Sequence, residues 1–397
     1  MTDRPSTPDR TPPGRAAPAL PFDPWLLGAV MLLTAFGLVM VYSASAVTAD
    51  AKVHDQFYFL KRQLVAAGIG IGLLLLAFQI GYRRLQGLAL PLLFLVLAGL
   101  VLVLVPGVGR VAGGARRWID LGLLSFQPAE AAKVALVLYL ARSLARKKER
   151  MRIFSIGFLP HVIVAGVLMG LVLLEKDLGT AVILFVVLFV MLFAGGARVS
   201  YLLGAMLFAA IAGWRLVAGT PYRMQRITAF LDPWRHRDGV GFQIVESLIG
   251  IGNGGWTGQG LGEGKGKLFY LPAAHTDFIA AVVAEETGLV GTSLLLLLFA
   301  ALVWRGMRAT WQAPDAFGCY LALGLTTLFG AQALVNLAVV FGLLPTKGLT
   351  LPFVSYGGSS LMTLLAAAGM LLSVSGGRGG FLRPARTVRL APGGGTA

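Results

Sequence analysis

Residues 277–304 read DFIAAVVAEETGLVGTSLLLLLFAALVW, an aspartate followed by a long apolar run. A membrane-spanning helix needs about 20 such residues, and this run supplies them. Nine further runs of crossing length occur, at 25–47, 62–81, 87–106, 129–146, 157–174, 178–196, 200–218, 317–340 and 356–375. They are too long and too uniformly apolar for barrel strands, and in lipid only a helix satisfies every backbone group within one segment. The sequence therefore predicts an all-α polytopic membrane protein with ten transmembrane helices.

The composition agrees with a chain embedded in lipid. Of the 397 residues, 56% are hydrophobic and 13% are charged, whereas an ordinary soluble domain has about 25% charged residues. The formal net charge is +16, but the basic residues are scattered between apolar runs and form no basic stripe with interleaved aromatic residues. We therefore expect no nucleic-acid partner. Cys319 is the single cysteine, which excludes an intrachain disulfide and a cysteine-cluster metal site.

The polar segments divide the chain into one membrane domain and two tails. Residues 1–24 and 376–397 have the composition of disordered segments, and residues 25–375 form the membrane domain. When the long segment 219–276 is left aside, Lys and Arg concentrate on the side that carries both termini, so the positive-inside rule predicts that both tails are cytoplasmic. Residues 219–276 then form a large extracytoplasmic loop between the seventh and eighth helices. The loops at 107–127 and 341–353 face the same side and can share one site with it.

Titratable side chains cluster where the large loop meets the eighth helix. Asp277 stands at this junction, with His275 before it and Glu285 and Glu286 inside the apolar run. Such a group is a candidate general acid or base site. The simpler alternative is that Thr276 or Asp277 only caps the N-terminus of the helix.

Two opposite charges lie inside the fourth apolar run. Glu130 and Lys133 are three residues apart and share one helix face. A charge at this depth costs at least ~2.5 kcal/mol, so each needs a partner or a wet cavity. The pair either neutralises itself and holds helices together, or forms the wall of an ion-lined cavity.

Basic residues on the predicted outer side suit a diphosphate. Arg116 and Arg117 precede Trp118 in the 107–127 loop, and Lys347 lies in the last outer loop. A guanidinium binds two phosphate oxygens at once, and a lysine adds a point charge. The alternative for the Arg-Arg-Trp cluster is a lipid headgroup anchor. The Ser-Tyr-Gly-Gly-Ser-Ser segment at 355–360 either admits a ligand or allows tight helix packing.

These stretches together resemble the SEDS family (shape, elongation, division and sporulation). The motifs that carry the resemblance are Val41–Ser45, Gly114–Gly122, Phe126–Pro128 with Lys133, Asp177–Thr180, Tyr222–Met224 with Arg226 and Ile227, Phe230–Trp234, Lys267–Pro272, His275–Ile279, Glu285 with Glu286, and Pro345–Ser360. The resemblance spans about residues 25–375. The segments 42–45 and 345–360 are more similar to the division branch of the family than to the elongation branch. The chain departs from the family pattern at Lys176, Ala273 and Thr287, and at Ser125, where many members carry an arginine.

The resemblance implies a peptidoglycan glycosyltransferase that acts in septal cell-wall synthesis. Such an enzyme polymerises lipid II into β-1,4-linked glycan at the outer face of the bacterial cytoplasmic (inner) membrane and releases undecaprenyl diphosphate. Asp277 matches the catalytic aspartate of the family. The expected substrate-binding residues are Arg116, Arg117, Glu130, Lys133, Arg223, Arg226, His275, Lys347 and Ser355.

The resemblance also implies partners, and the chemistry bears on cofactors. A class B penicillin-binding protein, which cross-links the new strand, and other divisome proteins are the expected partners. A divalent cation such as Mg²⁺ or Mn²⁺ suits the departing diphosphate, although the sequence shows no dedicated site for it, and no organic cofactor is expected. The alternatives are a lipid II flippase, because intramembrane charges in a helix bundle also suit a transporter, and a non-catalytic divisome scaffold.

Overall fold

A computed structural model of the protein describes residues 22–112, 114–120, 122, 125–264 and 274–376. Within these residues the apolar runs are helical, as predicted, and two further helices lie in the large loop. The helices are α1 Pro24–Val53, α2 Tyr58–Ile80, α3 Tyr82–Leu104, α4 Pro128–Lys147, α5 Leu159–Leu174, α6 Leu178–Ala194, α7 Val199–Ala218, α8 Pro221–Leu231, α9 Phe242–Gly254, α10 Ile279–Gln312, α11 Ala316–Val340 and α12 Gly358–Ser375. A 3₁₀ turn at Lys148–Arg152 and a π turn at Phe154–Phe158 lead into α5.

The membrane-spanning character of the bundle is confirmed. Eight helices of the described chain are long and apolar enough to cross a membrane. Two of the ten predicted spans, α4 and α6, are not among them. α6 has only 17 residues, and α4 carries Glu130 and Lys133 together with a basic last turn. Because α4 is buried along most of its length, its partners are other helices rather than lipid, and it need not be uniformly apolar.

The eighth predicted span is divided by a break that the sequence did not reveal. Gly288 interrupts α10 with φ 63° and ψ −160°, a left-handed conformation that favours glycine. The carbonyl groups freed by the break bond to the large loop, where Gln259 N–H donates to Glu285 (3.0 Å) and Gly260 N–H to Glu286 (3.1 Å). The loop thus satisfies backbone groups that would otherwise be unpaired inside the bundle.

The loop predicted at 107–127 contains a small sheet, which is a departure from the all-α prediction. β1 Gly109–Ala112, β2 Ala115–Asp120 and β3 Ser125–Phe126 form an antiparallel sheet in the order β1-β2-β3. In register, Ile119 of β2 lies opposite Gly109 on one side and Phe126 on the other. These strands are shorter than the alternating patterns from which strands are predicted.

α2 and α12 pack closely against each other. A Cβ atom at Gly369 would lie 2.2 Å from the carbonyl oxygen of Leu74, and one at Gly70 would lie 2.5 Å from the Leu365 side chain. Small residues therefore let the two helices touch, as is usual between membrane helices. The tails predicted at 1–24 and 376–397 lie outside the described residues, apart from 22–24 and 376.

Candidate active site

A cavity of about 410 Å³ lies where the small sheet, the start of α10 and the segment before α12 meet. Ligand sites in proteins typically have volumes of about 300–1,000 Å³. The residues that line it are Arg62, Arg110, Arg117, Trp118, Ser125, Gln127, Glu130, Asp177, Thr180, Thr276, Asp277, Gly348, Leu349, Thr350, Tyr356, Gly357, Gly358 and Ser360. These residues come from the loops that were predicted to face outward and from the helix ends beside them. Residues of all three loops therefore line one cavity.

Asp277 lies in the wall of this cavity and does not cap α10. The N-cap position of α10 is Phe278, and no side chain of the described residues forms a capping hydrogen bond there. The interpretation of Thr276 or Asp277 as a simple helix cap is therefore wrong. The helix begins one residue later than the sequence suggested, and Asp277 lines the cavity.

The surroundings of Asp277 suit a base that works near neutral pH. Burial raises the pKa of the Asp277 carboxyl to about 6, and the Asp177 carboxylate adds to this rise. The guanidinium groups of Arg117 and Arg226 oppose it. A general base is most effective when its pKa lies near the working pH, since it is then both deprotonated and basic.

Polar side chains hold the backbone of this segment in place. Asn336 Nδ2 donates to the carbonyl oxygen of Asp277 (2.8 Å), and Ser355 Oγ donates to that of Thr276 (2.6 Å). Ser355 was predicted to bind substrate, but it does not line the cavity, and its hydroxyl is used inside the protein. Both hydrogen bonds fix the position of Asp277 from behind.

His275 packs in an aromatic cluster behind the cavity wall. Its ring centroid is 4.7 Å from that of Phe59 and 5.6 Å from that of Tyr356. Burial lowers the pKa of His275 to about 4, and the positive charge of Lys52 acts in the same direction. The imidazole is therefore uncharged at neutral pH and contributes packing contacts to the aromatic cluster.

Glu130 and Lys133 form the pair predicted from their spacing, with 2.9 Å between Oε2 and Nζ. Lys133 is fully buried, and its Nζ also donates to Gln332 Oε1 (2.7 Å). Glu130 lines the cavity, whereas Lys133 lies behind it. The two interpretations of the pair are thus compatible, because one member holds the helices together and the other faces the cavity.

Arg117 is the predicted cation that reaches the cavity. Its Nε donates to the carbonyl oxygen of Glu175 (2.9 Å) and its Nη2 to that of Lys176 (2.6 Å). Lys176 Nζ in turn donates to the carbonyl oxygen of Gly114 (2.9 Å). These bonds fasten the β1–β2 hairpin to the turn between α5 and α6. Lys176, one of the departures from the family pattern, belongs to this fastening.

The other predicted cations lie outside the cavity wall. Arg223 Nη1 donates to the carbonyl oxygen of Leu216 (3.1 Å), and Arg226 Nη1 donates to that of Thr346 (3.1 Å). Lys347 is half-buried, and burial lowers its pKa. Of the predicted set, Arg117, Glu130 and Asp277 line the cavity together. Those that do not line it are Arg116, Lys133, Arg223, Arg226, His275, Lys347 and Ser355.

Asp177 is a cavity carboxylate outside the set of site residues expected from the sequence. It is buried, accepts hydrogen bonds from Thr180 N–H (3.0 Å) and Thr180 Oγ1 (2.9 Å), and accepts another from Gln127 Nε2 (3.3 Å). Asp177 lies in a turn on the side predicted to face outward, and this position could have marked it as a candidate site residue. In the described part of the chain, no group of three or more His, Cys, Asp or Glu side chains is arranged to hold a metal ion.

Comparison with protein families identifies the chain. The family described as cell cycle protein, FtsW/RodA/SpoVE, matches residues 24–378. The chain belongs to this family. The membership predicted from the SEDS motifs is therefore confirmed over the whole membrane domain.

Relatives of known name agree with this assignment. A probable peptidoglycan glycosyltransferase FtsW from Geobacter sulfurreducens is 49% identical over 354 residues, which cover 89% of this chain and 95% of that protein. The stage V sporulation protein E of Bacillus subtilis is 44% identical over 347 residues, which cover 87% and 94%. Members named as FtsW glycosyltransferases and as a sporulation protein are thus both similar to this chain.

Solved structures of the family share the fold. A chain from a peptidoglycan synthase complex that coordinates polymerisation and crosslinking superposes with a TM-score of 0.75 at 35% identity, covering 90% of this chain and 98% of that one. The rod shape determining protein RodA of Thermus thermophilus gives a TM-score of 0.67 at 34% identity, covering 90% and 97%.

Proposed function

We propose that this FtsW/RodA/SpoVE family protein polymerises lipid II with Asp277 as its general base. It is a peptidoglycan glycosyltransferase, the activity for which its FtsW relatives are named. The observation that carries the mechanism is the position of Asp277. Its carboxylate is not used as a helix cap and lines a cavity that also contains Arg62, Arg110 and Arg117.

The reaction joins the sugar of one lipid-linked substrate to that of another. The acceptor hydroxyl attacks the anomeric carbon of the donor, and the Asp277 carboxylate takes the hydroxyl proton as the new C–O bond forms. The bond between the anomeric carbon and the diphosphate oxygen breaks, and its electron pair leaves with undecaprenyl diphosphate. A positioned base of this kind typically contributes 10²–10⁴-fold in rate.

The cations of the cavity stabilise the negative charge that grows on the diphosphate. Arg117 donates from Nε and Nη2 to backbone carbonyls, and among the residues that the structure describes no hydrogen bond involves its Nη1. Fixed donors aimed at developing charge are among the largest contributions to catalysis. The fixed attachment of Arg117 to the α5–α6 turn places its charge before substrate arrives.

A divalent cation fits this cavity only in company with substrate. Mg²⁺ is commonly held by one or two carboxylates together with substrate phosphates, and the cavity offers the carboxylates of Glu130 and Asp177. Bound there, Mg²⁺ or Mn²⁺ would neutralise charge on the diphosphate.

The orientation and partners complete the proposal. The distribution of Lys and Arg supports cytoplasmic termini, and in that orientation the cavity faces the periplasm, where the cell wall is made. The partner is a class B penicillin-binding protein at the division septum, working with other divisome proteins. The similarity to a chain of a polymerising and crosslinking synthase complex supports such a partner.

Reconstitution separates this proposal from a flippase and from a scaffold. The purified protein with its partner is incubated with labelled lipid II, and glycan polymer is resolved on a gel. Lipid movement is measured separately across proteoliposomes. We expect polymer from the wild-type protein and none from the Asp277→Ala variant. Lipid movement without polymer would favour the flippase, and normal septum assembly by the Asp277→Ala variant in cells would favour the scaffold.

A further inference from the structure

Arg62 is a cavity cation outside the set of substrate-binding residues expected from the sequence. It lies near the start of α2, and its guanidinium carbon is 4.8 Å from the centroid of the Tyr58 ring. The next residue, Gln63, is buried and bonds to the segment before α12. Its Nε2 donates to the carbonyl oxygen of Ser355 (3.1 Å), and its Oε1 accepts from Gly357 N–H (3.2 Å). The turn that carries Arg62 is thereby fixed against another part of the same cavity wall.

The charge of Arg62 is not balanced by a carboxylate of the described chain. Arg110 pairs with Asp120 at 3.4 Å, and Arg117 spends two of its donors on backbone carbonyls. Among the residues that the structure describes, no ion pair involves Arg62. A guanidinium that faces a cavity with its charge unpaired is suited to an anion with two adjacent oxygens, above all a phosphate.

The proposed reaction needs more than one such anion site. Donor and acceptor each carry a lipid-linked diphosphate, and both must be held while their sugars react. Arg117 belongs to the wall formed by the β1–β2 hairpin, and Arg62 belongs to the wall formed by α2 and residues 356–358. Two cations on separate elements can therefore serve two diphosphates.

We propose that Arg62 binds the diphosphate of one of the two lipid-linked substrates, while Arg117 serves the other. This inference rests on the proposed function, since it assumes two diphosphate-bearing substrates in one cavity. Arg62 is a binding residue in this account and takes no part in proton transfer. Its loss affects the affinity for the lipid-linked diphosphate more than the turnover of bound substrate.

The test compares binding and turnover in four full-length proteins. They are the wild type, Arg62→Ala, Arg62→Lys and Lys61→Ala. Lys61 is the matched control, because it is the neighbouring cation, is exposed, and pairs with Asp55 (2.9 Å) outside the cavity. Binding of undecaprenyl diphosphate and of undecaprenyl monophosphate is measured in detergent by native mass spectrometry. Thermal unfolding of each variant shows whether it is folded.

We expect Arg62→Ala to weaken diphosphate binding about tenfold or more, as the loss of a charge-assisted hydrogen bond does. The monophosphate should respond less, Arg62→Lys should recover part of the affinity, and Lys61→Ala should match the wild type. In the polymerisation assay KM should rise in Arg62→Ala while kcat stays within about twofold. Equal diphosphate affinity in wild type and Arg62→Ala, with both proteins folded, would overturn the proposal.

An Asp277→Asn variant separates this inference from the proposed function. It should lose polymerisation and keep the affinity for diphosphate, because it leaves Arg62 in place. If Asp277→Asn still polymerised lipid II, the proposed base would be wrong, whereas the dependence of binding on Arg62 would stand. If Asp277→Asn and Arg62→Ala lost diphosphate binding equally, the assignment of binding to Arg62 would fail.

Discussion

Replacement of Lys133 by methionine should destabilise the protein strongly, because it leaves Glu130 without its counterion. Lys133 is 0% exposed and Glu130 is 6% exposed. Removing one partner of a buried ion pair costs about 3–5 kcal/mol. Gln332 would also lose the hydrogen bond that its Oε1 accepts from Lys133. Glu130 retains contact with the cavity, so we expect a loss of about 3 kcal/mol, at the lower end of that range.

The single variant Glu130→Gln and the double variant Glu130→Gln/Lys133→Met turn this expectation into a double-mutant cycle. The Glu130→Gln/Lys133→Met protein removes both charges, so it should be more stable than Lys133→Met alone. Lys61→Met is the control, because the Lys61–Asp55 pair is exposed, with 66% of the lysine side chain accessible. An exposed pair of this kind contributes about 0–1 kcal/mol.

Unfolding free energies are measured by titrating the purified proteins from mild detergent into SDS, with thermal unfolding as a second measurement. We expect a positive coupling energy between positions 130 and 133, because each charge is costly only when the other is missing. This expectation would be refuted if Lys133→Met cost no more than Lys61→Met, or if the double variant lost the sum of the two single losses.

Three other predictions concern the reaction. The value of kcat/KM should fall as the pH drops through about 6. The reason is that burial raises the pKa of Asp277 to about 6 and only the deprotonated carboxylate can accept a proton. A kcat/KM that stays constant down to pH 4.5 would contradict this. Ser355→Ala removes the hydrogen bond to the Thr276 carbonyl, which helps to fix the neighbouring Asp277. The variant should therefore lose kcat several-fold at a stability cost of about 1 kcal/mol. The control Ser373→Ala removes a buried hydrogen bond within α12 and should leave kcat unchanged. Lys347 does not line the cavity but directly precedes Gly348, which does, so its charge can reach a bound diphosphate only at longer range. Lys347→Ala should therefore raise KM for lipid II modestly while kcat stays near its wild-type value. An unchanged KM with a collapsed kcat would instead place Lys347 in the transition state.

The helices could be predicted because a membrane imposes a length and a composition on each of them. A run of about 20 apolar residues leaves few alternatives to a helix. In α4 the spacing of Glu130 and Lys133 also indicated that the two side chains share one helix face. The break in α10 could not be predicted, because it depends on contact with a distant loop. A Cβ atom at Gly288 would lie 2.3 Å from Gly258 N and 2.7 Å from Trp256 O.

The candidate site could be predicted in part. The clustering of Asp277 with other titratable groups in outer loops indicated its position, but the sequence alone could not distinguish a base from a helix cap. The sequence does not distinguish Arg116 from Arg117 as a ligand for phosphate. Both lie on β2, where neighbouring residues point to opposite faces, and of the two only Arg117 lines the cavity. Arg62 was missed because it stands at the edge of an apolar run, where a cation usually marks the membrane surface.

The most direct test of the account is the single-turnover rate of glycan bond formation by Asp277→Asn, an isosteric change that removes the base and keeps the shape of the side chain. Labelled lipid II is mixed with a saturating excess of the purified variant and its partner, and binding of undecaprenyl diphosphate confirms that the cavity is intact. We expect the rate to fall by 10²–10⁴-fold with little change in binding. A rate within threefold of the wild type, in a protein that binds substrate normally, would contradict the role of Asp277.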